Sequence, residues 1–283
     1  MSLAGVAKET LQILEGGCYV APSGHEVSLA AELASAIAGT RLYRPEEAQA
    51  LVAARQSSQG APRVEVTPET TQLAAWRLIV DEGVEDPLLL NFASARNPGG
   101  GFLGGAKAQE EDLCRCSGLY PCLLEARPYY DANRAERSLL YTDHAIYSPR
   151  VPFFRTASRM LCERTFLASV ITSPAPNARS ERAQKDPAFA RELEPTFRRR
   201  AGQVLAIAAA HGHRSLVLGA WGCGAFRNDP TVAAGAFGAW LEDPRFGGAF
   251  DRVVFAVFDK TKELANRIAF ERRFRERAPP SHT

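Results

Sequence analysis

Long hydrophobic runs are missing from this chain of 283 residues. None approaches 18 apolar positions, so a membrane-spanning helix is excluded. A surplus of one charge is missing too. Lysine and arginine number 34 against 32 acidic residues, a net charge of only +2, so binding to DNA by bulk charge neutralisation is not expected. Residues Met1 to Gly17 lack the basic stretch and long apolar core of a secretory signal. The five histidines form no His-x-x-x-His or His-Glu-x-x-His pattern, and no serine stands in a Gly-x-Ser-x-Gly elbow, which removes the usual zinc-hydrolase and serine-nucleophile signatures. No repeat of 20–50 residues is visible. With 46% apolar and 23% charged residues, the composition is globular. The length is enough to bury roughly 70–75% of the unfolded surface, in one large domain or a core domain with a smaller attachment.

Six cysteines are present, at 18, 114, 116, 122, 162 and 223, but a chain this long needs no disulfide framework. Cys114, Cys116 and Cys122 have the only spacing that resembles a metal site. They lack a fourth ligand, and no histidine lies close in sequence. They read as free thiols of an intracellular protein, and neither metal nor cofactor is expected. His211 and His213 flank Gly212 after a helical stretch, a capping position rather than a catalytic one.

Apolar periodicity places short helices at 5–15 and 26–38, and Pro45-Glu46-Glu47 opens a third with a proline and acids in its first turn. Residues 55–62 read as a loop. The expectation is a helical accessory region over 1–60, a larger domain over 61–275 and a disordered tail at 276–283. From residue 63 strands and helices alternate. Strands are expected at 64–66, 88–92, 138–141, 151–154, 168–172, 215–220 and 253–258, with the 138 and 151 runs paired across a Ser148-Pro149 turn. Helices are expected from Thr67-Pro68-Glu69 to Gly83, after the glycines through about Ser117, around Phe197 with a break or start near Pro195, after Asp229-Pro230, and from Thr261 onward. Asn177 to Lys185 reads as a surface loop. Near-continuous apolar strands between helices imply a sheet covered on both faces, hence a three-layer α/β/α domain.

Two glycine-rich loops follow central strands. The first runs from Asn97-Pro98 through Gly99, Gly100 and Gly101 to Gln109-Glu110-Glu111. Three consecutive glycines permit φ > 0 and let a ligand lie against the backbone, and they expose N–H groups ahead of a helix N-terminus, where a phosphate can sit. The spacing fits neither Gly-x-Gly-x-x-Gly nor a Walker loop. The second loop carries Gly222, Cys223, Gly224, Ala225 and Phe226 before the helix opened by Pro230. Together the loops could grip a diphosphate in the crevice above the sheet.

Neighbouring helical residues point about 100° apart, so Glu110 and Glu111 do not share a face. With Glu111 toward the ligand, Glu110 points sideways, to ligand hydroxyls or loop backbone. A carboxylate beside a bound diphosphate and shielded from water has a raised pKa, which suits a general acid. An ordinary alternative is that both acids offset the helix dipole. Phe226 offers a ring for stacking or for closing over a sugar; Arg227 could approach phosphate, and Phe102 either lines the pocket floor or plugs the core.

Gly99 to Gly101, seven intervening residues and Gln109-Glu110-Glu111 resemble the hallmark of the bacterial poly(ADP-ribose) glycohydrolases, and the stretch from Asn91 to Gly101 resembles the strand-to-loop segment of macrodomains. The resemblance covers about residues 60–275, and the segment before it is similar to the accessory segment of the bacterial members. It implies a macrodomain-like fold with a central mixed sheet and an N-terminal helical extension. It implies Glu111 as the catalytic acid, Glu110 as the acid positioning ribose hydroxyls, Asn97 contacting the terminal ribose and Phe226 packed against it. It further implies cleavage of ribose–ribose O-glycosidic bonds of poly(ADP-ribose), mainly from the chain end, with release of ADP-ribose. ADP-ribosylated proteins are the implied partners, and a cytoplasmic role in the DNA damage response the implied setting. Vertebrate-type enzymes carry a tyrosine-bearing hairpin over the adenine. No counterpart is assigned here, and Tyr129, Tyr130 and Tyr147 stand unplaced. Competing readings are a non-catalytic ADP-ribose reader, a hydrolase of single ADP-ribose units on protein, and a nucleotide-sugar hydrolase.

Overall fold

In the computed structural model, which describes residues 1–156 and 160–275, the chain opens on α1 (Leu3–Gly16). The Ser2 hydroxyl caps it by accepting from Gly5 N at 3.1 Å, and Gly17 ends it at φ +69°. A hairpin of β1 (Cys18–Val20) and β2 (Glu26–Ser28) follows, then α2 (Ala30–Gly39), β3 (Arg41–Tyr43) and α3 (Pro45–Ala53). The first 60 residues therefore hold strands as well as the three helices.

The remainder alternates: β4 (Arg63–Thr67), α4 (Thr71–Trp76), β5 (Leu88–Phe92), α5 (Gln109–Cys116), α6 (Leu119–Glu125), α7 (Arg127–Ala135), β6 (Ala145–Arg155), β7 (Leu161–Ser173), α8 (Glu181–Lys185), α9 (Pro187–Ala210), β8 (Ser215–Leu218), α10 (Pro230–Leu241), β9 (Arg252–Ala256) and α11 (Ala265–Arg275). Seven strands form one sheet in the order β3-β6-β7-β5-β8-β9-β4. The β3–β6 and β6–β7 pairs are antiparallel and the other four parallel, so the sheet is mixed.

Alternation along the strands builds the layers. Leu88, Leu90, Leu216, Val253 and Phe255 pack with Val204, Leu205, Phe237, Phe270 and Phe274 of α9, α10 and α11. Leu89, Val217 and Val254 point the other way, into Ala74, Leu113, Leu119 and Tyr129 of α4 to α7. The three-layer α/β/α arrangement follows.

Several elements differ from expectation. Residues 138–141 form a turn, not a strand. Glu136 accepts from Ser138 N at 2.7 Å, Tyr141 takes φ +61°, and the buried Arg200 guanidinium donates to Leu140 O and Tyr141 O. Pro149 makes no hairpin turn either. It lies inside β6, at a bulge where the register to β7 slips between Ser148 and Val151, a place where a missing N–H is tolerated. α9 begins at Pro187, capped by Asp186, and runs through Pro195. A short helix, α8, occupies part of the expected 177–185 loop. The last helix starts at Ala265, because Asp259 takes up Thr261 N and Asn266 N in a preceding turn. The tail expected at 276–283 lies outside the described residues.

Candidate active site

β5 and β8 are parallel neighbours, so the loops that follow them leave from the same edge of the sheet. Their pairing is confined to Leu88↔Leu216 and Leu89↔Val217. Beyond that point the Gln109 side chain serves the backbone of β5: Oε1 accepts from Phe92 N (2.8 Å), and Nε2 donates to Leu90 O (2.7 Å) and Thr71 Oγ1 (3.0 Å). The Gln109 amide, counted with the substrate-binding residues of the motif, is thus engaged by protein, which fixes the start of α5. Gln109→Ala leaves two strand groups unpaired and should lower stability by about 2–4 kcal/mol. A urea midpoint unchanged from wild type would show that the clamp contributes nothing.

The glycine triplet makes room for acids. Gly99 and Gly100 both have positive φ, +67° and +58°. A Cβ on Gly100 would overlap Oε1 of Glu111 and stand 3.1 Å from Oε2 of Glu110. Gly101 N donates to Glu111 Oε1 at 2.9 Å, Ser94 N to Glu110 Oε2 at 2.7 Å, and Asn91 Nδ2 to Glu110 Oε1 at 3.2 Å. Gly100 N is taken by Asn97 O. The amides of Gly100 and Gly101 are therefore spent on the turn itself and on the Glu111 carboxylate. Asn97 is exposed, its side-chain amide without a partner among the described residues, and Pro98 is half-buried.

Glu110 is 2% exposed and Glu111 8%. Burial pushes the Glu110 carboxyl up to about 8, against the pull of Ser94 N–H and the Asn91 amide, with the adjacent Glu111 adding to the rise. Between the ordinary value of 4.5 and about 8, the folded chain keeps a proton that the unfolded chain gives up. Stability relative to Glu110→Gln should therefore fall as pH rises through that window, by at most about 1.4 kcal/mol per pH unit, and level off above it. Denaturant unfolding of both proteins across the window checks this, and parallel pH profiles would refute it.

In the second loop Gly222 has φ +75°, and a Cβ there would meet Ala175 and the Asn228 amide. Asn228 Nδ2 donates to Pro176 O (2.8 Å) and Gly222 O (2.9 Å), and Trp221 Nε1 to Ser173 O (3.1 Å). These anchors were not singled out in the sequence, although Trp221 and Asn228 flank the loop's glycines and Phe226. Among the described residues, the N–H groups of Gly224, Ala225 and Phe226 have no acceptor. Successive free donors of this kind suit an anion. Burial holds the Cys223 thiol up at about 12, so it is no nucleophile.

Phe226 is half-buried beside Tyr141, ring centroids 6.2 Å apart, with the Arg96 guanidinium 5.9 Å from the Tyr141 ring. Tyr141 escaped notice because its segment read as a strand. Tyr129 and Tyr130 are core residues, and Tyr147 stacks on His211 and bonds to His213. All six cysteines are free thiols.

A cleft of about 810 Å³ runs past these groups, walled by Phe92, Gln109, Gly222, Gly224, Ala225 and Phe226, and by Phe258 and Lys260. That size falls within the small-molecule range of roughly 300–1,000 Å³. Its wall takes in Gln109 and the second loop; Asn97, Pro98, Gly99, Gly100, Gly101, Glu110 and Glu111 lie outside it.

A mixed sheet of this order, with a cleft at the carboxyl ends of its parallel strands and paired carboxylates on the next helix, defines a macrodomain-like hydrolase. The profile of the microbial-type PARG catalytic domain matches residues 7–156, and the chain belongs to this family of poly(ADP-ribose) glycohydrolases. The crystal structure of the poly(ADP-ribose) glycohydrolase from Thermomonospora curvata matches with a TM-score of 0.91 and 47% identity over 96% of this chain and 99% of that one. The same enzyme bound to the inhibitor ADP-HPD matches with a TM-score of 0.88, again 47% identical over 96% and 99%. The Deinococcus radiodurans enzyme in complex with ADP-ribose matches with a TM-score of 0.81 and 48% identity over 87% and 98%. No curated protein sequence matches the chain.

Proposed function

We propose that this hydrolase cleaves the ribose–ribose O-glycosidic bond of poly(ADP-ribose), mainly from the chain end, and releases ADP-ribose. The observation that carries the residue assignment is the packing of the Glu110 and Glu111 carboxylates into the space left by the missing Cβ of Gly100. Solved relatives bound to ADP-ribose and to ADP-HPD support the ligand class.

In this reading the N–H groups of Gly224, Ala225 and Phe226 hold the diphosphate of the terminal unit. The Phe226 and Tyr141 rings flank its distal ribose, and the free amide of Asn97 takes a ribose hydroxyl. Glu110, protonated through burial at neutral pH, orients the hydroxyls at the cleavage site. Glu111 gives its proton to the departing ribose oxygen as the anomeric C–O bond breaks and oxocarbenium character develops, which the nearby diphosphate offsets. The Glu111 carboxylate then takes a proton from water as the water oxygen bonds to the anomeric carbon, restoring the acid. Two carboxylates on adjacent residues, α-carbons about 3.8 Å apart, do not flank the bond as in two-carboxylate glycosidases. Residues 61–275 carry the chemistry, with 1–60 as an accessory region. ADP-ribosylated proteins bear the polymer, and the cytoplasm and the response to DNA damage are the setting. Among the described residues no helix is long and apolar enough to cross a membrane.

Product analysis on purified poly(ADP-ribose) tests the reading, with monomeric ADP-ribose as the expected product. Binding of ADP-ribose without any product would replace the enzyme by a reader.

A further inference from the structure

The Glu111 carboxylate is only as well placed as α5 and the turn before it, and one buried side chain ties both to the N-terminal helix. Arg155, the last residue of β6, is 1% exposed. Its Nη1 donates to Arg115 O in the last turn of α5 (3.1 Å) and to Thr10 Oγ1 of α1 (2.9 Å), and its Nη2 pairs with Glu9 of α1. Thr10 Oγ1 donates to the same Arg115 carbonyl at 2.8 Å. That carbonyl belongs to the last turn of a helix, where no intrahelical partner is available. Arg155 and Thr10 together cap α5 from outside.

The Arg115 side chain, also buried, carries the tie onward. Its Nη1 donates to Ala106 O (2.9 Å) and its Nη2 to Asp112 Oδ1 (2.6 Å). Ala106 N donates to Gly101 O at 3.1 Å, and Gly101 N holds Glu111 Oε1. The first turn of α1 closes the same circuit: a Cβ on Gly105, at φ +82°, would lie 3.0 Å from Ala4 N. α1 thus touches the unit that carries the acid at both ends.

We infer that Arg155 is a positioning residue for hydrolysis, using α1 as a brace that fixes α5 and, through Arg115 and the 101–106 turn, the Glu111 carboxylate. The inference rests on Glu111 being the acid, as proposed above. Among the described residues, the Arg155 side-chain partners are Thr10, Arg115 and Glu9, none of them in the second loop, so ligand affinity and acid placement separate. Because Arg155 also contributes to the cleft wall, affinity is measured on its own.

The test compares wild type with Arg155→Met, Arg155→Lys and Thr10→Val, the last a mild change that keeps the guanidinium. Displacing a reacting group by about 1 Å costs on the order of 100-fold. Arg155→Met should accordingly lower kcat on poly(ADP-ribose) by about 10–100-fold with the Kd for ADP-ribose within about twofold. Arg155→Lys should recover part of the rate, and Thr10→Val should shift it mildly in the same direction. Amide hydrogen exchange should quicken at Gly101 and along α5 in Arg155→Met. Exchange that rises in α1 alone, an unchanged kcat in a folded variant, or an affinity loss that accounts for the whole effect would each overturn the brace. The exchange measurement needs no substrate. A wild type that releases no ADP-ribose would therefore sink the functional reading and leave the brace to be judged on exchange.

Discussion

Glu111→Gln should lower kcat on poly(ADP-ribose) by roughly 100- to 10,000-fold, the range a positioned general acid–base contributes, while affinity for ADP-ribose stays within about twofold. Glutamine is close to isosteric, and its Oε1 can still accept from Gly101 N, which lies 2.9 Å from the carboxylate oxygen. The turn that holds the acid therefore stays in place, and only proton donation and recovery are removed. Glu111→Ala is the weaker test, since it also leaves the Gly101 N–H without its acceptor. Rates measured with product identification, beside a direct ADP-ribose binding measurement, separate chemistry from binding. Substantial turnover by the glutamine variant would move the proton transfer to Glu110 or to another group.

Gly100→Ala should be nearly as damaging for a different reason. At φ +58° an alanine incurs about 1–2 kcal/mol of backbone strain, and its Cβ would also overlap Glu111 Oε1. Either the carboxylate swings away or the turn shifts by something near 1 Å, and both predict a kcat at least about 100-fold lower. Gly83→Ala is the matched control. Gly83 has φ +71° with nothing near its missing Cβ, so that variant carries the strain without the collision. A stability loss in Gly100→Ala at least as large as in Gly83→Ala, with activity lost only in Gly100→Ala, is the expected pattern. A Gly100→Ala protein that turns over like Gly83→Ala would show that the acids do not need the space.

Much of this architecture can be read in the one-dimensional chain, for reasons that particular residues make plain. Leu88 to Leu90 and Val253 to Phe255 are apolar on both faces because helices cover both, and continuous runs of that kind stand out. Asp229-Pro230 announces its helix because cap and first-turn proline act locally. The triplet and the Glu pair were visible as a pattern, yet the reason for the triplet was not. Gly100 is small on account of side chains ten and eleven positions on, a contact that spacing cannot reveal. The role of Gln109 as a clamp on β5 was not legible either, because its partners Leu90 and Phe92 are known only once β5 and β8 diverge. The errors share one cause. Residues 138–141 have strand composition, but the distant Arg200 holds their carbonyls in a turn, and Pro149 sits in a strand only because the bulge against β7 accepts it.

The outermost parallel strand has a bearing on how the protein is made. Among the described strands β4 pairs with β9 alone, and Glu65 stands 187 positions before its neighbour Arg252. At about 5–20 residues per second, β4 waits some 10–40 s on the ribosome before its partner is synthesised. Only at the end of that interval, once residues 215–218 have been made, does β8 also present an unpaired edge, since β9 is one of its two neighbours. Open edges of this kind invite association between chains. Translation that stalls ahead of residue 252 should therefore yield aggregates rather than a smaller working enzyme, and the sheet closes only as the last strand leaves the exit tunnel.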